Sequence, residues 1–275
     1  MGEERVFRHL TGFKKNSEMI KVSFNLSASS NDIEYLKDVC QAFGSRIHIS
    51  QDGERQKVDI LSASINDYDT ESIIIQIIEA IQRLPLTSPS QTVKNTILSL
   101  DITIVVSDAD DTSIPGVLLP AEYISLASEH RIQTAFNLMI TSSTRKGFLN
   151  SGAYLYIVSN NAFDVSEMNR IAGTSPSVVY QKGRFGRNAI VNLNAWGLEV
   201  VSENRLPDYP ALMLMQKIQN ANELGLYCKE NNLESHMDIT CYSIPSEPLR
   251  FQLEPSFFSF LNELNIRYID MDFMN

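Results

Sequence analysis

Histidine, cysteine and serine are the side chains most often used as general bases, metal ligands and nucleophiles, so their spacing is the first test for catalysis. No HxH, HExxH or HxxxH pattern joins any two of the histidines, which are His9, His48, His130 and His236. No GxSxG turn supplies a nucleophilic serine, and no motif places a histidine beside a cysteine. These spacings predict a chain that is not an enzyme and that uses neither a metal ion nor a cofactor.

The densest group of positive charge is the loop KGRFGR, Lys182 to Arg187. It lacks the lysine and the following Ser or Thr of a phosphate-binding P-loop, and no strand-to-helix context surrounds it. Two interpretations stay open. The segment is either a tight basic hairpin loop or a contact loop, in which Arg184 and Arg187 bind carboxylates or phosphates and Phe185 is an apolar anchor.

Negative charge is densest in SDADDTSIP, which contains Asp108, Asp110 and Asp111. A calcium loop needs further oxygen ligands and a glutamate at fixed spacing, and this stretch does not supply them. The segment is interpreted either as a solvated loop or as a surface that steers a cationic partner. The single tryptophan, Trp196, leaves a similar choice between core packing and a partner hot spot.

The composition of the whole chain narrows the class of protein. Its 275 residues carry a formal net charge of −10, and no cluster of cations is large enough to predict binding to nucleic acid. No apolar run is long enough to span a membrane, and the first twenty residues have no signal-peptide pattern, which predicts a cytoplasmic protein. The acidic balance serves either solubility or the binding of a basic protein partner. The three cysteines, without CxxC spacing, are predicted to be buried thiols: Cys40, Cys228 and Cys241.

An internal repeat organises the chain. The segment SASSNDIEYLKDVC lies over SNNAFDVSEMNRIA, which matches Ser27 with Ser159 and Asp32 with Asp164. Both aspartates precede apolar residues at helical spacing, so each is predicted to cap a helix. Further along, the tripeptide DIT occurs at Asp101 and again at Asp238. Several ordered matches at nearly constant spacing indicate a duplication.

The last strand of each copy supports the same alignment. Alternation predicts that Thr134, Phe136 and Leu138 point inward in the first copy, as do Ile269, Met271 and Phe273 in the second. The opposite face then carries Ala135 and Asn137 in the first copy, but Asp270 and Asp272 in the second. The second copy is therefore predicted to have an acidic outer face.

The predicted fold class is α+β, with two tandem ferredoxin-like domains, each a βαββαβ unit with a βαβ extension. The element TESIIIQIIEAIQRL is assigned to a helix because of its length and its Thr70 cap, and its counterpart is predicted to begin after Pro210. The elements of the first copy are predicted near 21–27, 31–43, 46–50, 57–65, 70–84, 97–106, 115–119, 121–130 and 132–140.

A polar, turn-forming segment, TSSTRKGFLNSG, separates the two copies, and the boundary is placed near Gly147. This gives an N-terminal extension over 1–20, a first repeat domain over 21–146 and a second over 147–275. The pattern leaves open whether the copies join sheet edges or pack their helices together, and it leaves the oligomeric state open.

The second copy resembles a bacterial family known as domain of unknown function 4279. The resemblance rests on the strand YLYIVS, the Asp-led helix with its Gly-x-x-Pro-like turn, a Lys-Gly pair and a downstream tryptophan, namely Gly173, Ser175, Pro176, Lys182, Gly183 and Trp196. The first copy lacks the proline and the Lys-Gly pair, and it has Ala63 where Trp196 would align. It looks like a degenerate copy.

Domains of this kind look similar to proteins found beside bacterial toxin genes, some of which are immunity proteins. The resemblance implies a non-catalytic protein that neutralises a cognate toxin by binding it and covering its active site. The toxin is expected to be basic at the contact, which is assigned to Asp108, Asp110, Asp111, Arg184, Phe185, Arg187, Trp196, Asp270 and Asp272. The alternative is a small-ligand-binding or sensory domain pair with the ligand between the two repeats.

Overall fold

A computed structural model describes most of the chain, and all structural statements below refer to residues 20–43, 49–52, 55–66, 69–84, 96–107, 114–140, 149–183, 193–242 and 248–274. These residues form an α+β fold with seven helices and two mixed six-stranded sheets. None of the helices in these ranges has the length and apolar character needed to span a membrane.

The first part of the chain supplies six strands and three helices: β1 (Ile20–Ser30), α1 (Ile33–Phe43), β2 (Ile49–Asp52), β3 (Arg55–Ile65), α2 (Glu71–Gln82), β4 (Thr96–Val106), β5 (Val117–Pro120), α3 (Ala121–Glu129) and β6 (Gln133–Ile140). The second part supplies β7 (Asn150–Ser159), α4 (Val165–Ala172), β8 (Val178–Tyr180), β9 (Asn194–Glu203), α5 (Asp208–Lys217), α6 (Ala221–Glu230), β10 (Glu234–Tyr242), β11 (Leu249–Leu253), α7 (Pro255–Glu263) and β12 (Tyr268–Met274).

The two sheets have the same strand order. The first sheet runs β11-β6-β4-β1-β3-β2 and the second runs β5-β12-β10-β7-β9-β8. All neighbours are antiparallel except β4 with β6 and β10 with β12, which are parallel. The orders become identical when β1, β2, β3, β4, β6 and β11 are matched with β7, β8, β9, β10, β12 and β5.

Each sheet takes its last strand from the other part of the chain. Strand β5 pairs with β12 in the second sheet, with Val117 opposite Met271. Strand β11 pairs with β6 in the first sheet, with Phe251 opposite Phe136. The predicted boundary lies near Gly147, a residue outside the described ranges. Two strand pairs, β5 with β12 and β6 with β11, join residues from opposite sides of this boundary.

Alternating burial along the strands explains where the core lies. In β4, every second residue from Leu98 to Val106 is buried, and the intervening residues are half-buried on the outer face. All seven described helices contribute buried side chains to the same hydrophobic cluster as these inward residues. Between helices α3 and α7, Tyr123 meets Phe258 edge to face at 5.8 Å. The described part of the chain thus buries its apolar side chains in one continuous core.

The predicted helix caps are confirmed at both aspartates. The Asp32 carboxylate accepts the backbone N–H groups of Glu34 and Tyr35, and the Asp164 carboxylate accepts those of Ser166 and Glu167. The predicted position of Thr70 as the cap of α2 is confirmed. Thr70 occupies the N-cap position without a side-chain hydrogen bond, because the carboxylate of Asp69 accepts the N–H of Glu71 instead.

The region after β9 contains one helix more than predicted. Helix α5 begins at Asp208, so Pro210 lies inside its first turn instead of preceding it, and a separate helix, α6, follows. Of the three cysteines, Cys228 and Cys241 are buried thiols as predicted, whereas Cys40 is half-buried.

Candidate functional site

The outer face of the second sheet concentrates aromatic and acidic side chains. Alternation sends Leu155, Met237 and Ile269 into the core, so the residues between them point away from it. We call the resulting surface the acidic-aromatic face. It comprises Tyr154 and Tyr156 on β7, Glu199 on β9, His236 and Asp238 on β10, and Tyr268, Asp270 and Asp272 on β12.

An aromatic row crosses three neighbouring strands on this face. The ring of His236 is stacked on Tyr268, with centroids 5.2 Å apart and an angle of 17° between the planes. On its other side, His236 lies 5.6 Å from Tyr156 in a tilted arrangement. Tyr154 and Tyr156 are parallel to within 6°, at 6.4 Å. Four aromatic rings are thus grouped on one face of the sheet, and aromatic rings can bind cations.

Two glycines allow the tyrosine rings to lie close to the sheet. Gly197 is opposite Tyr156, and a methyl group added there would come within 2.8 Å of Cδ1 of that ring. Gly152 lies beneath Tyr154, where an added methyl group would come within 2.6 Å of the ring. The sheet backbone and the rings therefore approach one another more closely than any other residue at these positions would permit.

Next to the aromatic row lies a group of three carboxyls. Asp238 is directly opposite Asp270 on the parallel strand β12, and Asp272 follows two residues later, opposite Thr240. Burial raises the pKa of Asp238 to about 7, and the charges of Asp270 and Asp272 add to the shift. Burial, together with the charge of Asp272, raises the pKa of Asp270 to about 6. A cation placed above this group would favour the ionised forms.

Tyr154, Tyr156 and His236 are neutral donors or acceptors near pH 7. The Tyr156 hydroxyl donates to Oε1 of Glu199 at 3.2 Å, and burial raises the pKa of Tyr156 far above its ordinary value. Burial also raises the pKa of Tyr154 to about 12. For His236, burial lowers the pKa, although the charge of Glu234 opposes this effect, so the imidazole is neutral. Negative charge on the face therefore comes from its carboxylates.

The predicted contact residues have three different outcomes. Asp270 and Asp272 lie on the outer face, as the strand alternation predicted. The predicted contacts Asp108, Asp110, Asp111, Arg184, Phe185 and Arg187 lie outside the described residues. Trp196 as a partner contact is wrong, because its side chain is completely buried in the core and its Nε1 donates to Oδ1 of Asn169 at 2.9 Å.

Sequence reasoning missed most of the acidic-aromatic face, namely Tyr154, Tyr156, Glu199, His236, Asp238 and Tyr268. The signal was present in the alternation of two segments. In YLYIVS, every second residue from Tyr154 is outward-facing, and in ESHMDIT the outward positions are Glu234, His236 and Asp238. Reading both strands together, with the pairing of β7 and β10, would have placed Tyr154, Tyr156, His236 and Asp238 on one surface.

Within the described ranges, no group of three or more histidine, cysteine, aspartate and glutamate side chains is arranged to hold a metal ion. The face has rings on one side and carboxylates on the other, and both kinds of group can bind a positively charged side chain. No family model matches the chain, and neither the curated proteins nor the solved structures include a significant match to it.

Proposed function

We propose that this chain is a non-catalytic immunity protein that binds a cognate bacterial toxin and covers its active site. The observation that carries the proposal is the acidic-aromatic face, where Tyr156, His236 and Tyr268 form a row beside Asp238 and Asp270. Rings and carboxylates in one layer suit the lysine and arginine side chains of a basic partner. The resemblance of the second copy to domain of unknown function 4279 and its association with toxin genes support the same function.

We also infer that the chain is a tandem duplication of a ferredoxin-like unit. The order β4-β1-β3-β2, with all neighbours antiparallel, is that of a βαββαβ sheet, and β10-β7-β9-β8 has the same order. Two turns repeat in detail. Ser30 and Ser159 are the last residues of β1 and β7. The Ser30 hydroxyl accepts the backbone N–H of Asp32, and the Ser159 hydroxyl accepts that of Asn161, in each case two residues later.

The contact surface is assigned to the second copy because the two outer faces differ. Where Asp238 is opposite Asp270, the corresponding Asp101 is opposite Ala135. Tyr156 and His236 correspond to Ser27 and Ser99 in the first sheet, whose hydroxyls hydrogen-bond to each other at 2.9 Å. A partner that recognises rings and paired carboxylates therefore has one face on which to bind. We place this binding in the cytoplasm.

The test uses the product of the neighbouring gene, co-expressed with this chain and then purified for calorimetry. We expect co-expression to relieve growth arrest, and Tyr156→Ala to weaken binding by about thirtyfold, as loss of a central aromatic contact does. Tyr209→Ala is the matched control, since Tyr209 is an exposed aromatic on α5 away from the face. Equal affinity for both variants would contradict the assignment of the face, and a saturated complex with full toxin activity would contradict inhibition.

A second measurement, the pH dependence of the affinity, tests the contribution of the carboxylates to binding. Because a bound cation favours the ionised forms of Asp238 and Asp270, complex formation should release protons, and affinity should increase from about pH 6 to about pH 8. The double variant Asp238→Asn and Asp270→Asn should bind more weakly and lose this pH dependence. Asp59→Asn, on the outer face of the first sheet, should retain it. A pH dependence that survives the double variant would remove the carboxylates from the contact.

The alternative is a small-ligand-binding or sensory domain pair with the ligand between the repeats. One observation favours it: the first sheet has a polar groove lined by strands from both parts of the chain. Ligand binding there is independent of the acidic-aromatic face, which belongs to the other sheet.

A further inference from the structure

A groove of about 360 Å³ lies on the outer face of the first sheet. Its floor consists of the small side chains of Ser27, Ser29, Ser99 and Ala135, which lie on the three neighbouring strands β1, β4 and β6. Long side chains of the flanking strands form its two walls. Small residues between rows of long ones leave a depression in a sheet surface that would otherwise be flat.

The walls come from different parts of the chain. Arg55 and Lys57 belong to β3, and Arg250 and Gln252 belong to β11, the strand that the second part contributes to the first sheet. Four strand steps separate β3 from β11, which corresponds to about 19 Å between the backbones. Arginine and lysine side chains can reach inward from both walls across this distance, so one small molecule on the floor is accessible to both.

The charge of the groove is opposite to that of the chain. Among the described residues that line it, Arg55, Lys57 and Arg250 are cationic and Asp101 is the single carboxylate, whereas the chain as a whole has a net charge of −10. Nη1 of Arg55 is enclosed and has no hydrogen-bond partner among the residues that the structure describes. A guanidinium stays protonated at all relevant pH values, so an enclosed donor without an acceptor is costly unless a ligand supplies one.

The other two cations are also available. Nζ of Lys57 is 3.8 Å from Oδ1 of Asp59, whose side chain is 56% exposed, and such an exposed pair is weak. Arg250 is exposed, and its guanidinium forms no hydrogen bond or ion pair within the described part of the chain.

We propose that this groove binds a small, hydroxyl-bearing molecule with an oxyanion group, either a phosphate or a carboxylate. The cations of the two walls bind the oxyanion, and the serine hydroxyls, Gln252 and the Asp101 carboxylate bind the hydroxyl groups. The volume is at the lower end of the range for small-molecule sites, which suits a monosaccharide derivative. The polar lining selects a polar ligand over an apolar one. This site lies on the other sheet from the acidic-aromatic face, and ligand binding to it does not depend on that face.

The experiment is a titration of the ¹⁵N-labelled full chain with ribose 5-phosphate, with glucuronate and with ribose. We expect saturable shifts of the Ser27 and Ser99 amides with at least one anionic probe and none with neutral ribose. The anion that binds more tightly identifies the source of the oxyanion. Absence of saturable shifts with both anions at millimolar concentrations would overturn the proposal.

Variants locate the binding. Arg55→Gln and Arg250→Gln should each weaken binding of the active probe by about tenfold, as loss of a charge-assisted hydrogen bond does. Lys229→Gln on α6 removes the same charge far from the groove and is the control. If the groove variants and the control bind equally well, the anion is held elsewhere and the proposal is wrong. Unchanged amide spectra outside the groove establish that the variants are folded.

Discussion

Asp238 and Asp270 occupy directly opposed positions on the parallel strands β10 and β12, on the outer face of the second sheet. Burial raises the pKa of Asp238 to about 7 and that of Asp270 to about 6, with Asp272 adding its charge to both sites. The pair therefore opposes folding when it is ionised. A cation bound next to the pair would remove this cost, because it favours the ionised forms.

We expect this pair to make stability depend on pH. The folded pKa values lie above the ordinary value of 3.8, so the folded chain keeps protons that the unfolded chain has already released. The contribution of the pair is therefore fully favourable below about pH 4 and is lost as the pH rises to about 7. Asp238→Asn should stabilise the protein at about pH 8 by on the order of 2 kcal/mol, and much less at about pH 4. Urea unfolding at both pH values measures the difference.

Asp101→Asn is the matched control for this prediction. Asp101 has the position in the first sheet that Asp238 has in the second, but it is opposite Ala135 instead of a carboxylate. Because no carboxylate lies opposite Asp101, we expect Asp101→Asn to stabilise the protein less at about pH 8 than Asp238→Asn does. If Asp238→Asn destabilises the protein equally at both pH values, the ionised carboxyl pair does not oppose folding.

A second prediction concerns the contact between helices α6 and α7. A methyl group added at Gly225 would come within 2.0 Å of the backbone oxygen of Glu263. Backbone atoms cannot move aside as a side chain can, so the helices would have to separate. We expect Gly225→Ala to lower the free energy of unfolding by about 1–3 kcal/mol, although alanine is the better helix former. Leu226→Ala, at an exposed neighbour, should change it little. A stabilised Gly225→Ala variant would refute the close helix contact.

A third prediction concerns the cap of α4. The Asp164 carboxylate accepts the N–H groups of Ser166 and Glu167 at 2.8 Å and 3.1 Å. Asp164→Ala should cost about 1 kcal/mol in chemical denaturation, whereas Asp164→Asn, which retains an acceptor oxygen, should cost less. Similar losses for both variants would indicate that the negative charge, and not the hydrogen bonds, stabilises this helix end.

Local signals predicted the parts of the fold that depend on a few neighbouring residues. The caps at Asp32 and Asp164, the helical assignment of α2 and the outward Asp270 and Asp272 follow from periodicity and side-chain chemistry alone. The match of the two DIT segments also agrees with the strand register, which gives Asp101 and Asp238 equivalent positions.

Strand register was harder to predict, because loops change length between the two parts. Ser30, and not Ser27, has the position of Ser159, since the loop from the strand to the capping aspartate is longer in the second part. Val58, and not Ala63, has the position of Trp196. Val58 is opposite Ala28, which lies two residues before Ser30, and Trp196 is opposite Ile157, which lies two residues before Ser159. A register irregularity between Leu26 and Ser27 adds to the displacement.

The exchange of β5 and β11 between the sheets has no local signature. The segments that contain Val117 and Phe251 have the alternation of ordinary edge strands, and such a pattern does not specify which sheet they join. The sheet that each strand joins is determined by its pairing with a strand distant in sequence, β12 for β5 and β6 for β11. The acidic-aromatic face and the groove of the first sheet are both affected, because β5 borders the first and β11 forms a wall of the second.

The strand exchange leads to the last prediction, which is that the two parts of the chain unfold together. Phe251 of β11 is stacked on Phe136 of the first sheet at 5.0 Å, and both rings approach Phe273 of the second sheet. Phe251→Ala should lower the free energy of unfolding by about 3–5 kcal/mol. The fluorescence of Trp196, which lies in the other sheet, should show the same decrease in the free energy of unfolding as circular dichroism does. Both signals report one cooperative transition if the two sheets share a single core.

The control for this last prediction is Met139→Ala on β6, whose side chain is 38% exposed, and which should leave the transition nearly unchanged. Two separate transitions in the Phe251→Ala variant, with the Trp196 signal unaffected by the first, would show that the second sheet is stable without the first. The ring contacts across the exchanged strands would then add stability to one part only. A single transition that is shifted equally in both signals would show that the two sheets unfold together, as expected for residues of one hydrophobic core.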